Sequence, residues 1–268
     1  MEKKKIFITG AGSGIGKEAA ICLARRGHTV YASIYYQEQL EQLEEISKKE
    51  KINLYPFMLD ILNEKDREKI LNYDIDVYIS NAAIGNSGSV AEVSVDKIRQ
   101  VYETNIFSNI KCIQFALSKM IKNGKGRIVI LASIAGRIPM PFLSPYCSSK
   151  AALETFGTCL RQEMKILNKL KETNIEIGII EPGAYATGFN KEMNEKKYNW
   201  MYKNSYFLGN VKKIQITEEK IWNFLEQKPY NSIVKQYIRV VEDKSLKHRY
   251  SAPWWQVSIV QIGRILGM

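Results

Sequence analysis

Short apolar runs and amphipathic segments alternate along this chain with a regular beat. Ile6–Thr9, His28–Ile34, Ile52–Leu59, Asp76–Ser80, Arg127–Ala132 and Ile175–Ile180 have strand length and are rich in β-branched and aromatic residues. Between them lie segments with helical apolar spacing. These are Lys17–Arg26, closed by Gly27; Gln37–Lys49; a helix capped by Asn63 and running through Leu71; and a long region, Ser94–Met120, broken by Asn123-Gly-Lys-Gly126. A further helix follows Pro145, a fit residue for a first helical turn, and its apolar spacing continues from Ala151 to Leu167. Strict strand–helix alternation predicts an α/β fold, a doubly wound parallel sheet with helices on both faces. Ligands of such sheets bind at the carboxyl edge of the strands.

The beat loosens after Gly183. Lys191–Phe207 interleaves basic residues with Tyr198, Trp200, Met201, Tyr202, Tyr206 and Phe207. Two readings stand for it: a helical lid over a lipophilic substrate, or helices packed on the core. Thr217-Glu-Glu219 reads as a helix start before Ile221–Leu225, and another helix spans Ile233–Val241. The tail from Pro253 carries an apolar stripe suited to core or subunit packing, or alternatively to peripheral membrane contact. No repeat or linker divides the chain, so 1–268 reads as one domain, with a lid region at about 184–230 and a tail at about 248–268.

Composition narrows the class. Hydrophobic content of 45% and charged content of 25% are those of a soluble globular protein. The net charge of +11 raises the question of nucleic acid, but the lysines are dispersed and no nucleic-acid motif accompanies them. Cys22, Cys112, Cys147 and Cys159 have no C-x-x-C or other metal-ligand spacing and read as packed free thiols. Met1–Lys5 runs directly into a strand, which leaves no room for a signal peptide, and no apolar segment approaches the ~20 residues of a membrane span. A cytoplasmic location is the expectation.

Chemistry concentrates in Ser133–Lys150. Tyr146 and Lys150 are four apart on one helix, so their side chains share a face. A phenol ionises at about 10 in water, and a fixed ammonium beside it favours the phenolate. Such a tyrosine can give and take a proton near neutral pH. Upstream, Gly10-Ala-Gly-Ser-Gly14-Ile-Gly16 joins the first strand to the first helix. Glycines there allow a tight turn, and the helix start offers N–H groups to a pyrophosphate.

Together these pieces resemble the short-chain dehydrogenase/reductase family, whose fold is of the Rossmann type. Thr9-Gly-x-x-x-Gly-x-Gly16 is similar to its cofactor fingerprint. Asn81-Ala-Ala-Ile-Gly85 resembles its Asn-Asn-Ala-Gly element, with Ser80 at the first Asn position and one extra residue before the glycine. Asn105, Ser133, Tyr146 and Lys150 match its catalytic tetrad, and Pro182-Gly183 with Thr187 matches the segment that closes over the nicotinamide. The resemblance implies that Tyr146 exchanges a proton with a substrate oxygen and that Ser133 holds that oxygen. It implies that Lys150 lowers the tyrosine's pKa and bonds the nicotinamide ribose, while Asn105 orders a water. It assigns dinucleotide contacts to Gly10, Ser13, Gly14, Ile15, Gly16, Ser33, Tyr35, Asp60 (at the adenine amine), Ile61, Asn81, Ala82, Ala83, Tyr146, Lys150, Pro182, Gly183 and Thr187.

The implied activity is NAD(P)-dependent interconversion of a secondary alcohol and a ketone. Phe142, Tyr185 and Trp254-Trp255 suggest a bulky apolar substrate of steroid or retinol type. Neither an acid nor an arginine stands at Ile34 or Tyr35, and Lys17 is close, so NADP is favoured over NAD. Family members pair through their two long helices, here near Ser94–Met120 and Tyr146–Leu167, which implies a homodimer or homotetramer. The competing function is a dinucleotide-binding sensor or scaffold without physiological turnover.

Overall fold

The computed structural model describes residues 2–267. Its strands are β1 (Lys5–Ile8), β2 (Thr29–Ile34), β3 (Leu54–Met58), β4 (Val77–Ser80), β5 (Lys125–Leu131), β6 (Asn174–Pro182) and β7 (Arg249–Ala252). They form one sheet in the order β3-β2-β1-β4-β5-β6-β7, every neighbouring pair parallel. The crossovers are carried by α1 (Gly14–Arg25), α2 (Gln37–Glu50), α3 (Glu64–Glu68), α4 (Val95–Tyr102), α5 (Asn109–Asn123) and α6 (Ser144–Lys171). Beyond β6 come α7 (Phe189–Met201), α8 (Val211–Leu225), α9 (Asn231–Glu242) and α10 (Trp254–Ile265). Among the described residues no helix is long and apolar enough to cross a membrane.

Alternation along each strand feeds two cores. Ile6 and Ile8 enter the one covered by α1, α2 and α9, while Phe7 enters the one covered by α5 and α6. Burying such a side chain is worth about 1.5–3 kcal/mol, so the sheet faces, more than local propensity, hold these short strands. Strand order reverses between β1 and β4, which opens a crevice at the carboxyl edge.

The structure departs from the sequence reading at four points. The first helix starts at Gly14, inside the glycine turn, not at Lys17. The long helical region divides into α4, a π-helical stretch at Glu103–Ser108, and α5. The wide turn rotates Asn105 inward, a use of π geometry common at functional sites. Thr217 does not open a helix: α8 begins at Val211, and the Thr217 hydroxyl donates back to the Lys213 carbonyl at 2.9 Å. Finally, Arg249–Ala252 adds a seventh strand beside β6.

Candidate active site

The glycine turn is built by close approaches. Gly10 and Gly14 have φ of +63° and +54°, in the region that favours glycine. A Cβ on Gly10 would lie 2.7 Å from the Ala82 Cα, and one on Gly16 would lie 2.6 Å from the Asn81 Nδ2. Asn81 locks the turn to β4: its Nδ2 donates to the carbonyls of Thr9 and Gly10, both at 2.9 Å. The Thr9 hydroxyl accepts from the backbone N–H of Asn81 (2.9 Å) and Ala82 (3.1 Å). Ser13 precedes α1 in extended conformation without a side-chain capping bond. The helix start is therefore free of a side-chain cap, and Gly14 and Gly16 add no Cβ to it, which fits a pyrophosphate. Thr187, from the segment after β6, comes over this turn, 3.3 Å from where a Gly14 Cβ would stand.

Across the crevice the structure brings Ser133, Tyr146 and Lys150 together. Ser133 follows β5; its hydroxyl donates to the Pro182 carbonyl (3.2 Å) and accepts from Ala135 N–H (3.1 Å). Tyr146 lies in the first turn of α6, with Pro145 just ahead of it, and its ring stands 5.5 Å from that of Phe189. The Lys150 Nζ donates to the Leu131 carbonyl at 2.9 Å and lies 5.6 Å from the Tyr146 ring centroid. Asn105 is fully buried. Its Oδ1 accepts from Ile84 N–H (2.9 Å), and its Nδ2 donates to the Ile84 carbonyl and the Ser149 hydroxyl, both at 3.0 Å. Both amide hydrogens are thus committed, and the side chain works as a brace between the Ile84 loop and α6.

Burial dominates the electrostatics. It pushes the Tyr146 phenol up to about 12, with the neighbouring Ser133 hydroxyl pulling the other way. It also pulls Lys150 down to about 7, opposed by the carboxylate of Glu154 one turn along the helix. Burial is the largest influence on Tyr146, ahead of the Ser133 hydroxyl and Cys147, while the Lys150 Nζ is engaged by the Leu131 carbonyl. A phenol raised in this way keeps its proton at neutral pH.

Several supports come from segments that sequence reasoning did not connect to the site. The fully buried Tyr237 of α9 donates to the Asn81 Oδ1 at 2.6 Å. Gln256 of α10 accepts from Ala184 N–H (2.8 Å) and donates to the Leu225 carbonyl (2.7 Å), while Gly183 N–H donates to the Ala252 carbonyl of β7 (2.7 Å). The Pro182-Gly183 segment is thus moored by β7 and α10. A cavity of about 310 Å³ lies between Met140–Leu143 and α8 residues including Lys213, Ile214, Ile221 and Trp222. Met140, Leu143 and Trp222 also pack in one cluster with Tyr146, Cys147, Phe189 and Met193, so the apolar wall reaches the phenol.

The remaining residues of the sequence reading are spread more widely. Ile15 packs partly buried against the first core, and Ala83 lies in the loop after β4. Ser33 is buried, its hydroxyl without a partner and its carbonyl accepting from Ala11 N–H at 2.9 Å. Tyr35 is exposed at the end of β2, edge-on to Tyr36 at 4.8 Å. Asp60 accepts from Leu62 N–H at 2.9 Å, the bond of a local turn, and Ile61 is buried in the second core. The Lys17 Nζ donates to the Gln42 Oε1 at 3.0 Å, towards α2.

Known proteins share both the sequence and the architecture. The profile of the short chain dehydrogenase family matches residues 4–198. The uncharacterized oxidoreductase YusZ of Bacillus subtilis is 35% identical over 195 residues, 70% of this chain and 67% of that protein. Dehydrogenase/reductase SDR family member 7B of Xenopus laevis is 30% identical over 194 residues; the match spans 68% of this chain and 58% of the frog protein. Among solved structures, a short-chain dehydrogenase from Streptomyces avermitilis superposes with a TM-score of 0.80 at 19% identity, covering 99% of this chain and 93% of that one. An actinorhodin polyketide ketoreductase solved with NADPH gives 0.77 at 21% identity, covering 93% and 95%. With the profile spanning the glycine turn, Ser133, Tyr146 and Lys150, this chain belongs to the short chain dehydrogenases, a family of oxidoreductases.

Proposed function

We propose that this oxidoreductase interconverts a secondary alcohol and a ketone with NAD(P). The observation that carries the reading is the Tyr146 phenol on one helix face with Lys150, beside Ser133, across the crevice from an uncapped glycine turn. The turn from Gly10 to Gly16 would hold the pyrophosphate, Lys150 the nicotinamide ribose, and Pro182, Gly183 and Thr187 the nicotinamide side. When bound, the nicotinamide supplies or accepts the hydride. Tyr146 Oη gives its proton to the carbonyl oxygen as charge develops there, and the Ser133 hydroxyl holds that oxygen in place. Phe189, Trp222 and Met193 keep water from the reacting face.

No carboxylate stands at the end of β2 to repel a 2′-phosphate, where Ile34 leads into Tyr35 and Tyr36, which supports NADP over NAD. The apolar wall reaching from Tyr146 to the α8 cavity supports a bulky apolar ketone. Exposed Phe107, Phe156, Ile166 and Leu170, the first in the π-helical stretch and the rest on α6, support pairing of two copies through these helices. Replacing Tyr146 with Phe tests the core of the proposal: turnover of a ketone panel with NADPH falls at least a thousandfold while dinucleotide binding persists. Full turnover in that variant overturns the assignment of Tyr146.

A further inference from the structure

One helical turn beyond Lys150, two glutamates converge without enough hydrogen. Glu154 lies one helical turn beyond Lys150 and is 7% exposed; Glu181, near the end of β6, is wholly buried. Arg249 of β7 stands between them, its Nε 3.1 Å from the Glu154 Oε2 and 3.6 Å from the Glu181 Oε1. The Ser251 hydroxyl and, at 3.4 Å, the Arg137 guanidinium donate to the Glu181 Oε2. The Oε1 atoms of both glutamates are buried without a hydrogen-bond donor. Leaving one ionised carboxyl oxygen so is costly, and leaving one on each of two adjacent carboxylates adds their repulsion.

The two carboxyls are hydrogen-bond neighbours, so a proton held between them would relieve both. From this geometry we infer that Glu154 and Glu181 share a single proton, Glu154 carrying it and Glu181 accepting, and that the pair is a positioning element that sets the charge on Lys150. The inference rests on the proposed role of Lys150 beside Tyr146. With the proton held, the pair carries one negative charge, and a negative charge this close favours the ammonium form of Lys150. The proton is held because burial, and then the charge of Glu181, raise the Glu154 carboxyl well above the usual carboxylate range, against Arg249. The other charged or titratable groups nearby are few. Arg161 of α6 donates to the Ile177 and Leu246 carbonyls, and His248, its pKa lowered first by burial and then by Arg249, lies between Thr158 and Arg249. Neither supplies a donor to the two orphan oxygens.

The test needs neither cofactor nor substrate, so it stands whatever becomes of the assigned reaction. Infrared spectra of the full chain at pH 7 are expected to show the carbonyl stretch of a protonated carboxylic acid, lost in both Glu154→Gln and Glu181→Gln. Glu154→Gln removes the carboxyl that carries the proton, and in Glu181→Gln the Glu154 carboxyl loses the neighbouring charge that held the proton and ionises against Arg249. No such band in the unaltered chain, or a band surviving in either variant, overturns the shared proton. Lysine labelled at Cε reports the second half, with the Lys150 resonance identified by its absence from Lys150→Met. Its titration is expected to move to lower pH in the double variant Glu154→Gln/Glu181→Gln, which removes the pair's negative charge; an unmoved or upward titration in that variant overturns the coupling to Lys150.

Discussion

Tyr237 Oη and Asn81 Oδ1 lie 2.6 Å apart in a wholly buried hydrogen bond that joins α9 to the glycine turn across 156 residues of sequence. Since Asn81 also donates to Thr9 and Gly10, the phenol on α9 fixes the amide that fixes the turn. Tyr237→Phe leaves the Asn81 oxygen buried with no donor, a loss of about 1–3 kcal/mol. The expected outcome is lower stability in urea together with dinucleotide binding weakened about tenfold, read by nucleotide fluorescence. Unchanged affinity in a destabilised variant would separate α9 from the turn.

The protonation states predict a pH trend for ketone reduction. With Tyr146 at about 12 and Lys150 at about 7, the phenol stays protonated through the accessible range while the ammonium is lost near neutrality. The kcat/KM for ketone reduction, which reports groups of the free enzyme, is expected to fall as pH rises through about 7. Lys150→Met should abolish that limb. A reductive profile flat from pH 6 to 9 in the unaltered enzyme would contradict it.

Burying Lys150 has a cost in stability whose sign is fixed by linkage. Its folded pKa of about 7 lies below the ordinary value of 10.5, so between these values the unfolded chain holds a proton that the folded chain lacks. Stability from this group therefore rises with pH across that window and is lowest below it. Lys150→Met should stabilise the fold at pH 6 by roughly 1–3 kcal/mol and flatten this dependence, measured by urea unfolding at pH 6 and pH 9. Destabilisation at pH 6 would show that the bond to the Leu131 carbonyl outweighs the desolvation.

Trp222 offers a separate handle on the substrate. It lines the α8 cavity and packs in the cluster that holds Tyr146. Trp222→Ala should raise KM for bulky apolar ketones about tenfold with kcat nearly unchanged, and leave the smallest ketones almost unaffected. Equal effects on large and small ketones would remove this wall from substrate binding.

What the sequence revealed was local. Six strands are legible because a short apolar run between turn residues is enough to mark them, and Tyr146 and Lys150 because four residues equal one helical turn. β7 escaped because Arg249-Tyr-Ser-Ala252 is half polar and has no strand signal until β6 lies beside it. The π-helical stretch at Asn105 breaks no pattern of apolar spacing; only its bonds to Ile84 reveal why the helix widens. Tyr237, Gln256 and the Glu154–Glu181 pair take their meaning from atoms far away in sequence, so no window of neighbouring residues contains the reason for them. The depressed Lys150 likewise follows from burial, which spacing does not report.

The mooring of Gly183 by Ala252 and Gln256 has a bearing on how the enzyme is made. While the polypeptide leaves the ribosome, the first five strands and their helices can gather around the glycine turn well before residue 249 is synthesised. Until β7 and α10 arrive, nothing holds the Ala184 amide or the Gly183 backbone in the positions they take in the finished fold. Nascent chains would thus pass through a stage with a formed nucleotide cradle and a loose nicotinamide side, and catalytic competence would be the last property to emerge.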